Sequence, residues 1–398
     1  MSNEKMMKEE YKSYMKATKE TEKYLDKIKG SLFGGAVGDA LGYAVEFDRE
    51  EEIFSNYGSE GIQEYELDPH TGKALISDDT QMSLFTANGI LLAETRRNTR
   101  GIGGPPSMYM HYFYEEWLET QQQTFEDYRP VDKEKHTHNK AWLMEVPELF
   151  ANRAPGLTCL DAIRSGFGSI EEPLNHSKGC GGIMRVAPLG MRYHMKNMRK
   201  LDKEGAKLAA LTHGHSLGYM PAAMLVHIIS LLVHDENSSL PASIEDAKAV
   251  IEELFAGDKH LQELIDIVDL AVDLAGNNCD DLTNIHLLGE GWVAEETLAI
   301  ALYCSLRYID DFSKAITVSV NHNGDSDSTG AVTGNIMGAL HGYDAIDEKW
   351  KQDLELSDVI LEMATDLCHG CRMSTWGGYV DWEWIDKYSE GHRPQRTR

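Results

Sequence analysis

The sequence predicts an all-α protein, and three observations carry that expectation. Pro is scarce, 11 residues in 398, which leaves long stretches without a helix breaker. Apolar residues recur at helical spacing in several segments. Strand signals are few. The run from Ile316 to Val320 fits a short strand by periodicity alone, but nothing nearby offers it a partner, so it reads as helix.

In chain order, residues 1–27 form a highly charged segment, expected as a helix appended to the core, with Tyr11, Tyr14 and Met15 on one face. Gly30, Gly34, Gly38 and Gly42 then fall every fourth residue, as do Gly330, Gly334, Gly338 and Gly342. Such a row strips one helix face and lets another backbone approach. Each Gly costs about 0.5–1 kcal/mol relative to Ala, so eight need a packing reason. A membrane span is excluded for both rows: Asp39 interrupts the first, and neither reaches ~20 apolar residues. Met82, Phe85, Gly89 and Leu92 continue a helical run. Ser243-Ile244-Glu245-Asp246 has capping-box spacing before Ala247, Val250, Ile251, Leu254 and Phe255, with Gly257 as the stop. Leu261, Leu264, Ile265, Val268, Ala271, Val272 and Ala275 form a second stripe, stopped by Gly276, and Leu298 to Leu306 a third. No linker divides residues 28–388, expected as one domain, and residues 389–398 are a polar basic tail.

Lys and Arg number 38 against 65 Asp and Glu, a net charge of −27, which argues against a general nucleic-acid or anionic-membrane binder. A small anionic ligand remains open if metals or local cations reverse the field at one site. Six Cys are too few for a disulfide scaffold at this length, and residues 1–27 have no apolar signal segment, so a reducing cytoplasm is the expected compartment.

Two acidic clusters stand at helix starts: Ser77-Asp78-Asp79-Thr80 and Asp325-Ser326-Asp327-Ser328-Thr329. Capping explains part of each, since Ser, Thr and Asp are favoured caps. Two clusters with more oxygens than a cap uses also suit a hard divalent cation, Mg²⁺, Mn²⁺ or Ca²⁺, which relieves the repulsion of adjacent carboxylates. An EF-hand starting at Asp325 fails, because its twelfth position, Ile336, should be Glu. The Asp-x-Asp-x-Thr pattern of a phosphatase aspartyl nucleophile fails too: it should end an apolar strand near the N-terminus, and here it follows Asn321-His322-Asn323-Gly324.

Four blocks in order make the sequence resemble the ADP-ribosylglycohydrolase family over about residues 28–385. They are Gly34-Gly35-Ala36-Val37-Gly38-Asp39-Ala40-Leu41-Gly42 leading to Glu46; Ser77-Asp78-Asp79-Thr80-Gln81-Met82; Ser177 through Gly179, Gly181 and Gly182 to Met184-Arg185, with Thr212-His213 after; and Gly324-Asp325-Ser326-Asp327-Ser328-Thr329-Gly330. The resemblance implies a compact all-α orthogonal helical bundle with a cleft that holds two divalent cations, Mg²⁺ or Mn²⁺. By position it implies Ser77, Asp78 and Asp79 as one ligand set and Asp325, Asp327 and Ser328 as the other. Many relatives have Thr where Ser77 and Ser328 stand. Glu46 matches an acid at the metal centre; without the resemblance it reads as an exposed helix-end acid. Ser177, Lys178, Gly179, Cys180, Gly181 and His213 match the wall that cradles the diphosphate and ribose, with backbone N–H groups free to approach anionic oxygens. Cys180 departs from a common pattern with Asn there. Arg185 reads equally as a phosphate partner or as an Arg buried against a helix C-terminus, and His215 as structural.

The activity implied is metal-dependent hydrolysis of the bond from the anomeric carbon of ADP-ribose to an acceptor, with arginine-linked protein favoured and Glu46 or Asp325 handling the proton. The alternatives are a non-catalytic ADP-ribose reader and a hydrolase of a free ADP-ribosylated small molecule. Other expectations are a monomer, no metal or redox role for Cys368-His369-Gly370-Cys371, and packing roles for Trp376, Trp382 and Trp384.

Overall fold

The computed structural model describes residues 24–128, 141–194 and 197–389. Most of residues 1–27 and of the 389–398 tail therefore lies outside the described residues, including the Tyr11–Met15 face. Among the described residues the regular structure is helical, with two isolated bridges, Ala74 to Leu354 and Gly179 to Val293, and no strand.

Two stripes fall where periodicity places them. Leu261–Ala275 buries Leu264, Ile265, Val268, Ala271 and Leu274, and Ala294–Arg307 contains the third stripe. The ambiguous Ile316–Val320 run lies in the helix Phe312–Val320. One start is corrected. The helix Leu240–Leu254 begins upstream of the Ser243 capping box: Ser239 is its cap, accepting from the Ala242 N–H at 3.4 Å, with Pro241 in the first turn. Pro needs no N–H partner there, so the helix runs back through it.

The apolar helix Ser216–His234, 19 residues long, meets the length and composition of a membrane span, yet it is buried inside the protein. It packs on Ala187–Arg192, Met198–Ala210, Leu240–Leu254, Leu261–Ala275, Ala294–Arg307 and Ser326–His341. His227 is tolerated near its middle because both ring nitrogens are bonded, to Asp202 and Asp246, each at 2.9 Å.

The two Gly rows find their packing reason in each other. The helix over 24–43 lies antiparallel to Ser326–His341, and every Gly of one row meets the other backbone. A Cβ added at Gly38 would sit 1.9 Å from the Gly330 carbonyl oxygen, and one at Gly34 2.5 Å from that of Gly334. Ser31 Oγ donates to the Asn335 carbonyl and Asn335 Nδ2 to the Ser31 carbonyl, both at 2.8 Å, which locks the register. The antiparallel seam carries the end of the first helix, with Asp39 and Glu46, to the start of the second, with Asp325 and Asp327.

The tryptophan expectation holds only for Trp384, which is 8% exposed and donates to Thr95 Oγ1 at 2.8 Å. Trp376 is 97% and Trp382 52% exposed. Trp376 sits in a non-helical stretch, residues 374–380, that is exposed throughout.

Candidate active site

Three helix ends converge. Ser77 caps Asp78–Arg100, its Oγ accepting the Asp79 N–H at 3.2 Å. Asp39 reaches over from the Gly helix: its carboxylate accepts the Ser77 N–H at 2.9 Å, the Thr80 N–H at 3.1 Å and the Thr80 hydroxyl. Sequence reasoning assigned Asp39 no role. The signal was a lone acid inside a Gly-lined helix face, which burial makes costly unless it is bonded.

Asp325 caps Ser326–His341, Oδ1 accepting the Ser328 N–H at 3.3 Å, while Asp327 Oδ1 accepts the same N–H at 2.9 Å. Ser328 Oγ donates to Asp79 Oδ2 at 2.9 Å and so joins the two clusters. Asp78, Asp79 and Asp327, all buried, each offer a carboxylate oxygen within 4.8 Å of the others. Glu46 is 8% exposed, and its Oε2 is buried with no hydrogen-bond partner. The exposed helix-end reading of Glu46 is therefore wrong: the chain turns after Tyr43 and folds the acid back over the cluster.

The charges are uncompensated by protein. Among the described residues no Lys or Arg pairs with Asp39, Glu46, Asp78, Asp79, Asp325 or Asp327. Burial, and then Asp327, push Glu46 up to about 10 and Asp39 up to about 7. The same causes hold Asp78, Asp79 and Asp325 well above the usual carboxylate range. An all-oxygen donor set, a tight acidic triad and an orphaned Glu46 oxygen fit a hard divalent cation.

The candidate ligand loop lies beside these acids. Cys180–Gly182 is a tight 3₁₀ turn. The Gly179 N–H donates to Ser177 Oγ at 3.3 Å, and Ser177 Oγ contacts Thr158 Oγ1 at 3.3 Å. Lys178 forms an ion pair with Glu295. Cys180 Sγ donates to Asp325 Oδ2 at 2.7 Å, a link the sequence did not reveal. His213 lies against the loop: a Cβ at Gly181 would be 3.0 Å from its Cε1, and one at Gly179 3.3 Å from its Nε2. Burial, and then Arg185, push His213 down to about 3, so it is neutral near pH 7.

Arg185 resolves to the structural reading. It is fully buried and donates to the Gly181 carbonyl at 2.5 Å, to Thr212 Oγ1 at 2.7 Å and to the Leu208 carbonyl, near a helix C-terminus, at 3.3 Å. His215 is structural too, its Nδ1 accepting the Leu217 N–H at 3.1 Å. Cys368 and Cys371 form no disulfide and join no metal-type group among the described residues.

The model of the family described as ADP-ribosylglycohydrolase matches residues 20–376. Human ADP-ribosylhydrolase ARH3 is 28% identical over 45% of the chain and 54% of its own length, so the chain spans about half the length of the ARH3 relatives it matches. ADP-ribosylarginine hydrolase Tri1 of Serratia proteamaculans is 23% identical over 86% of the chain and 79% of its own length. A solved structure titled ADP-ribosylglycohydrolase-related protein complex shares the fold, with a TM-score of 0.56, 23% identity, and coverage of 87% of this chain and 99% of that one. With the helical fold, the paired acidic helix starts and a family match over nearly the whole core, the chain belongs to the ADP-ribosylglycohydrolase family.

Proposed function

We propose that the chain is a divalent-metal-dependent hydrolase that removes ADP-ribose from a modified protein, with arginine-linked ADP-ribose its preferred substrate. The observation that carries this reading is the convergence of Asp39, Glu46, Asp78, Asp79, Asp325 and Asp327 beside a glycine-rich turn, with no Lys or Arg paired to them among the described residues. Ser77, Asp78, Asp79, Asp325, Asp327 and Ser328 would hold Mg²⁺ or Mn²⁺, two ions in all. Such ions orient ribose hydroxyls and lower the pKa of bound water.

The chain's own groups supply the rest. Glu46 is buried at the centre and its Oε2 is unengaged among the described residues, so it is the group best placed to protonate the departing acceptor. Asp325 has both oxygens engaged, by Ser328 and Cys180, and suits ligation better than proton transfer. The turn at Gly179, Cys180 and Gly181, with Ser177, Lys178 and His213 around it, would receive the diphosphate and ribose, with the Gly179 and Cys180 N–H groups already given to Ser177 Oγ and the Trp292 carbonyl. Two points favour arginine. The arginine hydrolase of S. proteamaculans aligns over most of both chains, and an acid-rich centre suits a cationic guanidinium leaving group. No disulfide forms among the described residues, which suits the cytoplasmic setting we propose.

The test is a substrate panel: protein ADP-ribosylated separately on arginine, serine and acidic residues, and ADP-ribosylated nucleic acid, each with Mg²⁺, Mn²⁺ or chelator. Release from arginine with either ion is expected. Full turnover after exhaustive chelation would remove the metal requirement. ADP-ribose binding without release from any substrate would make the chain a reader.

A further inference from the structure

One side chain joins the ligand loop to the acidic centre. Cys180 opens the turn, and its Sγ donates to Asp325 Oδ2 at 2.7 Å. Main-chain bonds make this contact the last link of a closed ring. The Cys180 N–H donates to the Trp292 carbonyl at 3.2 Å, Gly179 bridges to Val293, and the Ala294 N–H donates to the Lys178 carbonyl at 2.8 Å. Just upstream, the Glu290 carbonyl accepts the Asp325 N–H at 2.8 Å. Between them Gly291 has φ +80, and a Cβ there would lie 3.5 Å from Asp325 Cβ. The loop is thus stitched to the 290–294 segment, that segment to the Asp325 backbone, and the thiol returns from the loop to the Asp325 side chain.

The bonds on the Asp325 carboxylate are unequal. Oδ1 takes the Ser328 N–H at a long 3.3 Å, and that N–H is closer to Asp327, at 2.9 Å. Oδ2 takes the Cys180 thiol. Without the thiol, only the long Ser328 N–H bond would hold the Asp325 carboxylate in place beside Asp327.

We propose that Cys180 is a positioning residue whose S–H fixes the orientation of the Asp325 carboxylate, so that the ligand loop and the metal ligand set assemble as one unit. The inference rests on the metal-site reading proposed above. It is particular to a chain with Cys at this position.

The test uses the full chain and three replacements. Cys180→Ser keeps a donor, Cys180→Ala removes it, and Cys180→Val removes it while filling the space, which keeps the test open if the alanine protein folds poorly. Cys279→Ala, at an exposed thiol, is the control. Calorimetry reads Mn²⁺ affinity, kinetics on ADP-ribosylated protein read kcat and KM, and circular dichroism reads the fold. In the alanine and valine proteins Mn²⁺ affinity should fall about tenfold and kcat about 10–100-fold, with KM changing less, and serine should restore most of both. Mn²⁺ affinity and kcat unchanged in the alanine and valine proteins would overturn the proposal, as would a serine protein no better than alanine. If the unaltered chain binds neither Mn²⁺ nor Mg²⁺, the metal reading itself fails and takes this inference with it, an outcome distinct from metal binding that ignores Cys180.

Discussion

The helices that begin at Asp78 and at Ser326 look alike in sequence and start in opposite ways. The first imports part of its cap, beside the Ser77 hydroxyl that takes the Asp79 N–H. Asp39, from another helix, takes the N–H groups of Ser77 and Thr80, and the carboxylates of Asp78 and Asp79 are spared that work. The second caps itself: Asp325 and Asp327 both accept the Ser328 N–H. A row of acids at a helix start is therefore ambiguous until packing shows who supplies the cap. Where a distant residue does, the local acids are available for a cation. Where none does, the same carboxylate must serve both purposes.

Removing each cap separates the two cases. In Asp39→Ala the N–H groups of Ser77 and Thr80 and the Thr80 hydroxyl lose their buried partner. Urea unfolding should show a loss of about 2–3 kcal/mol, together with loss of hydrolysis, since the turn carrying Asp78 and Asp79 is no longer held. In Asp325→Ala hydrolysis should also disappear, but with a much smaller loss of stability, because one of several repelling carboxylates is gone. Equal destabilisation by the two replacements would show that the imported and intrinsic caps are equivalent.

Titration sharpens the contrast between Asp39 and the acids around it. Burial, followed by Asp327, raises Asp39 from 3.8 to about 7 and Glu46 from 4.5 to about 10. A carboxyl whose folded value lies above its unfolded value contributes stability in full below the unfolded value and loses it as pH rises toward the folded one. The chelated protein should therefore lose thermal stability from about pH 4 upward, through both groups to about pH 7 and through Glu46 beyond it. Mn²⁺ binds the ionised acids and should flatten or reverse that slope. Melting curves across pH, with chelator and with Mn²⁺, read it directly. A flat chelated profile would show that these acids are not held neutral by burial.

What the sequence made legible was what local spacing encodes. Helical stripes at Leu261–Ala275 and Ala294–Arg307 appear where periodicity puts them, because each helix buries one face. The Gly rows announced a close backbone approach, but not that Gly38 faces Gly330 in an antiparallel seam, since pairing across that separation leaves no local trace. Asp39 was hidden for the same reason: its partners lie on another helix. Cys180 was read as a lost amide on the ligand wall, whereas its thiol donates to Asp325, a contact that exists only after the 290–294 segment folds between them. Trp376 misled because aromatic size suggests burial, while the chain around it, residues 374–380, is exposed throughout.

The smallest expected effect is the most specific test of the imported cap. Ser77 Oγ accepts only the Asp79 N–H, at 3.2 Å, while Asp39 holds the Ser77 and Thr80 N–H groups. A helix start that relied on its Ser alone would lose about 0.5–2 kcal/mol on replacement by Ala. Here Asp39 remains, so Ser77→Ala should cost no more than about 0.5–1 kcal/mol. Ser239→Ala is the comparison, at a cap whose Oγ takes the Ala242 N–H with no imported acid beside it among the described residues. In the Asp39→Ala background the Ser77 replacement should become more damaging than in the unaltered chain, since two caps on one turn then fail together. Urea unfolding of the two single variants and the double variant gives the coupling. Strict additivity would mean that Asp39 and Ser77 do not share the work of holding this turn, and that the acids at Asp78 and Asp79 are spared by some other contact.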